Sequence, residues 1–377
     1  VVALVGYASS VAVLIKALAA VGAGVGEVTS ALVFVGLAKG IAAIFLSLRS
    51  RMPVSVAWTT PGLALLLAVH PPAGGFPAAV GAMMVAGLLI VVAAFWEPLS
   101  RFVSAIPKAI ANAMLAGILL KLALAPFVAI REAPYTALLI LGVWLVMMRI
   151  ARLWAVPAAV AIALGAIVMQ SGGAGGYVLP HPVFVMPVFT FEALLSIALP
   201  LFIVTMASQN ITGLAVLSTF GYRPSMREGL AVTGLLSALI APFGAPPVNF
   251  AAITAALCAG KDAHPDPARR YTAAVVAGIG YICLTLLAAM AAMLVLNASP
   301  ILIEAAAGLA LIGAFGGAIK SATEDEEERL PALLTFFVTA SGLSFIGING
   351  AFWGLVLGWG AREGFRLGRG DGDKKVS

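Results

Sequence analysis

A chain of 377 residues that is 62% hydrophobic and only 10% charged, with a mean hydropathy of +1.08, does not have the composition of a water-soluble protein; soluble domains carry roughly 25% charged residues. Its formal charge of +6 does not mark a nucleic-acid binder, because its 22 Lys and Arg are scattered in ones and twos between apolar runs. At about 20 residues per span plus short loops, the length accommodates up to fourteen transmembrane helices.

The chain begins inside an apolar run without a basic n-region or cleavage site, which argues against a signal peptide and suggests that a short native N-terminus is missing. Segment 1 covers 1–20 and carries a sparse polar set, Tyr7, Ser9 and Ser10. Segment 2 covers 28–48, with Glu27 at its start. Segment 3, 53–70, opens with β-branched residues and Trp58 and then reaches Thr59-Thr60-Pro61-Gly62. That is a helix start, with Thr as the cap and Pro at the first helical position. Segments 4 to 7 cover 76–96, 104–125, 133–150 and 153–170. The stretch 171–191 is the longest connection and divides the chain in half.

Segment 8, 192–219, holds the densest polar cluster in an apolar setting, Thr205 to Gly213, with Ser208, Gln209 and Asn210 at its centre. Amide side chains are costly at membrane depth unless they face protein or water; interhelical hydrogen bonding is the competing reading. Segment 9 covers 228–243. Segment 10, 247–260, behaves like segment 3: Pro246-Pro247 opens an extended stretch through Asn249, and an Ala-rich helix follows from about Thr254. Segments 11 to 14 cover 268–296, 300–319, 331–346 and 348–365. Cys258 and Cys283 both sit in apolar runs and read as small buried hydrophobes, so no disulfide framework is expected.

Placing the N-terminus in the cytoplasm tests this count. Most Lys and Arg then fall on the cytoplasmic side, from Arg49 and Arg51 to Lys374 and Lys375, and the external loops hold only Arg131. Lys16, Lys39 and Lys121 lie within or near the ends of helices. A wrong count would scramble this positive-inside alternation beyond the error. The halves also match weakly. Tyr7-Ala8-Ser9-Ser10 corresponds to Met206-Ala207-Ser208-Gln209, Gly22 to Gly221, and Pro53-Val54-Ser55 to Pro247-Val248-Asn249. Seven spans is an odd number, so the two copies must insert in opposite orientations, the inverted-repeat plan of secondary transporters. The expected fold is thus an all-α polytopic membrane protein with a 7+7 inverted repeat, residues 1–190 and 191–377.

Segments 3 and 10 each read as an extended piece feeding a half-helix. Irregular backbone at membrane depth survives only where protein or a wet cavity satisfies it. Two such helix starts meeting mid-membrane present free N–H groups and positive dipole ends, an anion site. Acidic residues are absent from the interiors of segments 1, 3, 8 and 10, while Glu97, Glu192 and Glu304 lie near helix ends. A site of amides, hydroxyls and helix starts suits an anionic ligand. The expected substrate-binding residues are Tyr7, Ser9, Ser10, Thr59, Thr60, Gly62, Ser208, Gln209, Asn210, Asn249 and Thr254. Asp262, His264 and Asp266 read as a cytoplasmic turn and Glu324 to Glu328 as a solvated loop. Neither a P-loop nor a nucleophile–base pair is present, so no enzyme activity and no cofactor are expected.

Leu199-Pro200-Leu201-Phe202 through Asn210, Gly221-Tyr222-Arg223-Pro224, Ala241-Pro242-Phe243-Gly244 and His264-Pro265-Asp266-Pro267 resemble the bacterial benzoate transporter (BenE-type) family, as do Gly6-Tyr7-Ala8-Ser9-Ser10 and Trp58-Thr59-Thr60-Pro61-Gly62. The resemblance extends over essentially the whole chain. It implies a benzoate/proton symporter, distantly similar to uracil permeases and sulfate-permease-like carriers. It also implies a core of helices 1–4 and 8–11 (about 1–100 and 192–296) and a gate of helices 5–7 and 12–14 (about 101–170 and 300–366). Uracil-permease-like members hold the nucleobase with acids on helices 8 and 10. Here Gln209 and Val248, with Asn249 beside it, take those places, which disfavours a nucleobase and fits a carboxylate. The expected partners are a benzoate-like anion, a coupled proton and the lipid of a bacterial inner membrane; a homodimer is admissible. A carrier or channel for another small anion is the alternative.

Overall fold

The computed structural model describes residues 3, 7, 10–98, 107–170, 180–251, 253–261, 263–285, 300–345 and 348–372. Each of the fourteen predicted segments contains a helix: α1 (Val11–Ala20), α2 (Val25–Ser50), α3 (Thr60–Ala68), α4 (Gly75–Phe95), α5 (Lys108–Glu132), α6 (Pro134–Ile150), α7 (Ala155–Gln170), α8 (Phe191–Ser218), α9 (Met226–Ile240), α10 (Ile253–Ala259), α11 (Tyr271–Thr285), α12 (Pro300–Thr323), α13 (Arg329–Ala340) and α14 (Gly350–Gly372). Among the described residues, five are long and apolar enough to cross a membrane by themselves: α2, α4, α5, α8, and α9 with the turn to Phe243 that follows it. The chain is a mostly helical, multi-pass membrane protein.

Helix starts follow local chemistry. The Glu27 carboxylate accepts from the Gly24 N–H at 2.5 Å and closes the first turn of α2, which accounts for an acid at that entry. Thr190 and Ser225 cap α8 and α9 through Oγ atoms that accept from Ala193 N–H and Glu228 N–H, each at 3.2 Å. Inside α8, Pro200 has no N–H to give residue 196. The helix passes this point through a π turn over Leu194–Ala198, and a wider turn is one way a helix absorbs a missing donor. A second π turn, Met206–Asn210, coincides with the polar cluster.

Several crossings bring backbones unusually close, through glycines. A Cβ on Gly40 of α2 would stand 2.7 Å from the Gly278 carbonyl of α11, and one on Gly234 of α9 would stand 2.9 Å from the Gly87 carbonyl of α4. Small residues are the usual means by which membrane helices pack without a hydrophobic drive. The other large contacts join α5 to α12 and α13, α13 to α14, and α6 to α7.

Segments 3 and 10 fold as read. β1 (Val56–Trp58) pairs antiparallel with β2 (Val248–Phe250), in the register Val56↔Phe250, Ala57↔Asn249 and Trp58↔Val248. Bonds from Thr59 N–H to Pro247 O and from Ala251 N–H to Ser55 O, both 3.0 Å, extend the ribbon at its two ends. Every residue of β2 is buried, and the pairing supplies the backbone partners that lipid cannot.

Two details depart from the sequence reading. A short hairpin, β3 (Ser344–Phe345) with β4 (Ile348–Asn349), joins α13 to α14, so segment 13 ends as helix at Ala340. Cys283, expected to be buried, is exposed. The buried stripe of α11 is Ala274, Ala277, Gly278, Tyr281 and Thr285, and a residue two positions from Tyr281 points to the opposite side of the helix. The connection between the halves is described from 180 onward. There it lies against the protein, with Val183 N–H on Ser30 Oγ, Val185 N–H on Pro242 O and Val188 N–H on Pro77 O; the call of an external connection across 171–179 lies outside the described residues.

Candidate functional site

The β1–β2 ribbon is the centre of the site, and five of the eleven predicted residues bind it together. Thr59 caps α3: its Oγ1 accepts from Gly62 N–H at 3.2 Å and lies 2.9 Å from Thr205 Oγ1 of α8. Asn210 Oδ1 accepts from Phe250 N–H at 3.0 Å, so the polar cluster of α8 is fastened to β2. Ser10 accepts from Trp58 Nε1 at 2.8 Å, and Thr254 Oγ1 lies 2.7 Å from Ser55 Oγ. The Asn249 amide, with its oxygen assigned toward Thr59 N–H at 3.1 Å, donates to Phe250 O at 2.8 Å. Ser237 Oγ closes the far side, accepting from Val248 N–H at 2.9 Å. Ser10, Thr59, Asn210, Asn249 and Thr254 are all buried and all spent on protein partners.

A second group keeps polar capacity in hand. The Tyr7 hydroxyl is buried without a hydrogen-bond partner among the described residues. Thr60 and Gln209 are partly exposed, and no hydrogen bond engages either side chain among the described residues. Ser208, also partly exposed, donates to Val204 O at 2.5 Å, leaving its oxygen lone pairs for a donor. Gly62 is fully packed, with Leu201 of α8 lying over it. Ser9 lies outside the described residues. The helix start expected to attract an anion is better developed at α3 than at α10. The first has nine helical residues and a side-chain cap, whereas the second has seven, with residue 252 before it outside the described residues.

The division predicts opposite outcomes for two neighbours. Asn210→Ala leaves the buried Phe250 N–H without an acceptor, an omission that costs about 1–3 kcal/mol; it is expected to lower the melting temperature in detergent. Gln209→Ala touches no protein partner, so it should melt like the parent and, if the amide meets the ligand, bind it about tenfold more weakly. Equal melting temperatures for parent and Asn210→Ala, measured by intrinsic fluorescence, would remove the fastening role.

One residue of the site was missed in the sequence. Lys39 of α2 is 1% exposed, with its Nζ 3.6 Å from the ring centroids of both Trp58 and Tyr281 and 5.3 Å from that of Tyr7. Tyr7 and Trp58 stand edge to face at 5.4 Å. The signal available in the sequence was the position itself, a lysine eleven residues into an apolar run, flanked by Gly36 and Gly40. An ionisable residue inside a span is by default a functional candidate.

This arrangement, a short strand pair at whose edge half-helices start, set inside a multi-pass helical bundle, is the fold of known anion transporters. The transmembrane domain of the cyanobacterial bicarbonate transporter BicA superposes with a TM-score of 0.59 at 16% identity, over 95% of this chain and 96% of that one. Murine Slc26a9, an anion transporter captured inward-facing, superposes with a TM-score of 0.56 at 12% identity, over 94% of this chain and 68% of that one. The chain belongs to the BenE family, described as benzoate membrane transport proteins, whose model matches residues 1–363. It is 38% identical over 363 residues to the inner membrane protein YdcO of Escherichia coli, covering 94% of this chain and 91% of the relative. It is 32% identical over 328 residues to the benzoate membrane transport protein of Acinetobacter baylyi, covering 86% and 83%. It is therefore a membrane transport protein and not an enzyme.

Proposed function

We propose that the protein is a secondary active transporter that carries benzoate or a similar aromatic monocarboxylate across the bacterial inner membrane, together with a proton, by alternating access. The observation that carries this reading is the buried ribbon with the capped start of α3 beside it. Tyr7, Thr60 and Gln209 keep polar groups in hand around it, and no acid lies in the strands or half-helices to repel a carboxylate. Helix starts attract anions, and the rings of Tyr7 and Trp58 offer an aromatic wall. The names of the relatives point to the same ligand class and membrane. The test is uptake of labelled benzoate into proteoliposomes with and without an inward proton gradient. Accumulation only with the gradient, and counterflow of preloaded benzoate, are expected. Uptake without counterflow would make the protein a channel.

The reading includes fourteen spans in two inverted repeats, 1–190 and 191–377, with α1–α4 and α8–α11 as a core and α5–α7 and α12–α14 as a gate. Three features support it. The ribbon crosses antiparallel between the two halves, Gly22 and Gly221 both take a left-handed φ, and α5, α12, α13 and α14 pack on one another while α2 packs on α11 and α4 on α9. With both termini cytoplasmic, single cysteines at 269 and 374 should react with an impermeant maleimide only in inside-out vesicles, and one at 131 only in right-side-out cells. Labelling at 269 from outside would overturn the topology.

A further inference from the structure

Two charged side chains, Lys39 and Arg270, are buried among the described residues, and the fold provides for them differently. Arg270 donates to the carbonyls of Ala259, His264 and Pro265 and so closes the turn before α11. The Lys39 Nζ meets ring faces, those of Trp58, Tyr281 and Tyr7; among the described residues no carboxylate or carbonyl accepts from it. Ring faces offset only a small part of what an ammonium loses on leaving water. Beside it the Tyr7 hydroxyl is buried and has no hydrogen-bond partner among the described residues. A buried basic nitrogen and a buried O–H donor around the same rings lack the same thing, an anionic acceptor.

The nest also adjoins the ribbon. Trp58 is the last residue of β1 and donates to Ser10. The Tyr281 hydroxyl lies beside Thr254 at the start of α10. The Gly40–Gly278 crossing holds α2 and α11 close enough for Lys39 to reach both walls. The titratable groups facing Lys39 are the phenols of Tyr7 and Tyr281, with the Cys258 thiol behind Tyr281. The remaining charges on packed elements are Lys16 on α1, Glu27 and Arg49 near the two ends of α2, and Arg227 and Glu228 at the start of α9, where Glu228 is paired with Arg49 and Arg227 lies over the Phe95 ring. Tyr271 and Cys283 on α11 lie toward its start and on its exposed side.

Resting on the carriage of an aromatic carboxylate, we propose that Lys39 pairs with the substrate carboxylate and carries the coupled proton. In the empty closed site the side chain stands as the uncharged amine, because an unpaired charge there has nothing to offset its lost hydration. A proton joins Nζ as the carboxylate arrives, and the two cross as an electrically neutral ammonium–carboxylate pair to which Tyr7 adds an O–H donor. On release the carboxylate leaves and Nζ returns its proton to water. One proton and one anion enter, the same two leave, and the only bond made and broken is N–H.

The experiment compares wild type with Lys39→Met and Lys39→Arg, purified and reconstituted, using benzoate as the probe. Methionine fills an aromatic nest without charge; arginine keeps a charge it cannot release. Wild type should take up about one proton per benzoate bound in weakly buffered solution and accumulate benzoate under a proton gradient. Lys39→Met should bind at least about tenfold more weakly, the loss of a charge-assisted bond, and show neither proton uptake nor accumulation. Lys39→Arg should bind and exchange benzoate yet fail to accumulate it. A Lys39→Met protein that binds with parental affinity and takes up the proton overturns the role of Lys39 alone. A wild type that neither binds nor carries benzoate sinks the transport reading and this role with it. If neither variant folds, acetic anhydride footprinting of wild type decides: benzoate should slow acetylation of Lys39, and unchanged acetylation overturns the proposal.

Discussion

Thr60→Asp is expected to abolish benzoate binding at neutral pH while leaving the protein folded. Thr60 is the first residue of α3, partly exposed beside the ribbon, and its side chain makes no hydrogen bond among the described residues. An acid in the first turn of a helix is favoured by the helix dipole, by about 0.3–1 kcal/mol at exposed sites, so the melting temperature should hold or rise. If a substrate carboxylate sits at that helix start, the new carboxylate lies close to it. Two like charges about 4 Å apart repel by roughly 4 kcal/mol at an effective dielectric of 20, a loss of about a thousandfold in affinity. Thr60→Asn has nearly the same shape without the charge and should lose no more than about tenfold, the worth of one hydrogen bond. Acidification, which neutralises the introduced acid, should return part of the binding to the Asp variant and leave the Asn variant where it was. Calorimetric titration of both with benzoate decides the matter. Equal affinities in the two variants would place the carboxylate away from α3, and the Lys39 nest would have to hold it without the helix start.

What could be read in the sequence divides along physical lines. Helix existence and the half-helix character of segments 3 and 10 follow from local chemistry: runs of apolar residues, prolines, and a Thr-Thr-Pro-Gly start whose cap the structure reproduces in Thr59. The pairing of Ala57 with Asn249 is a contact between residues far apart in the chain, and two three-residue strands contain no pattern strong enough to declare a partner or a register. The π turns of α8 were equally hidden, because they widen a helix without changing its composition. The polar residues were found by type but not by job. Asn210 and Gln209 are adjacent amides in an apolar helix, yet within the widened turn Met206–Asn210 the first reaches the Phe250 N–H and the second stays partly exposed. In the sequence Lys39 reads only as a lysine within or near the end of a helix, and the usual fate of a membrane lysine is to snorkel to the interface. Only the tertiary packing of Trp58, Tyr281 and Tyr7 around it shows otherwise.

Gly62→Ala should destabilise the protein and disorganise the site, against what helix propensity alone predicts. Gly62 stands in the first turn of α3, where alanine is ordinarily the better residue by up to about 1 kcal/mol. Here the added Cβ would run into Leu201 of α8 and stand 2.6 Å from Thr59 Cγ2 and 2.7 Å from Thr59 Oγ1. Leu201 can swing its terminal methyl aside. Thr59 has less freedom, because it is β-branched and its hydroxyl is held between Gly62 N–H and Thr205 Oγ1. Turning it away removes the cap of α3, worth about 0.5–2 kcal/mol. It also leaves the buried Thr205 hydroxyl without its partner, a further 1–3 kcal/mol or so. The sum outweighs the propensity gain, so the melting temperature in detergent should fall, and benzoate affinity with it, since α3 then begins from an uncapped turn. Thr59→Val separates the two contributions: it loses the same cap and the same hydroxyl pair but adds no atom at position 62. Gly62→Ala should be no more stable than Thr59→Val, and combining the two should cost little more than either alone, because the second change removes an interaction the first has already broken. A Gly62→Ala protein that melts above the parent would mean that α8 and α3 stand further apart than the packing of Leu201 on Gly62 requires.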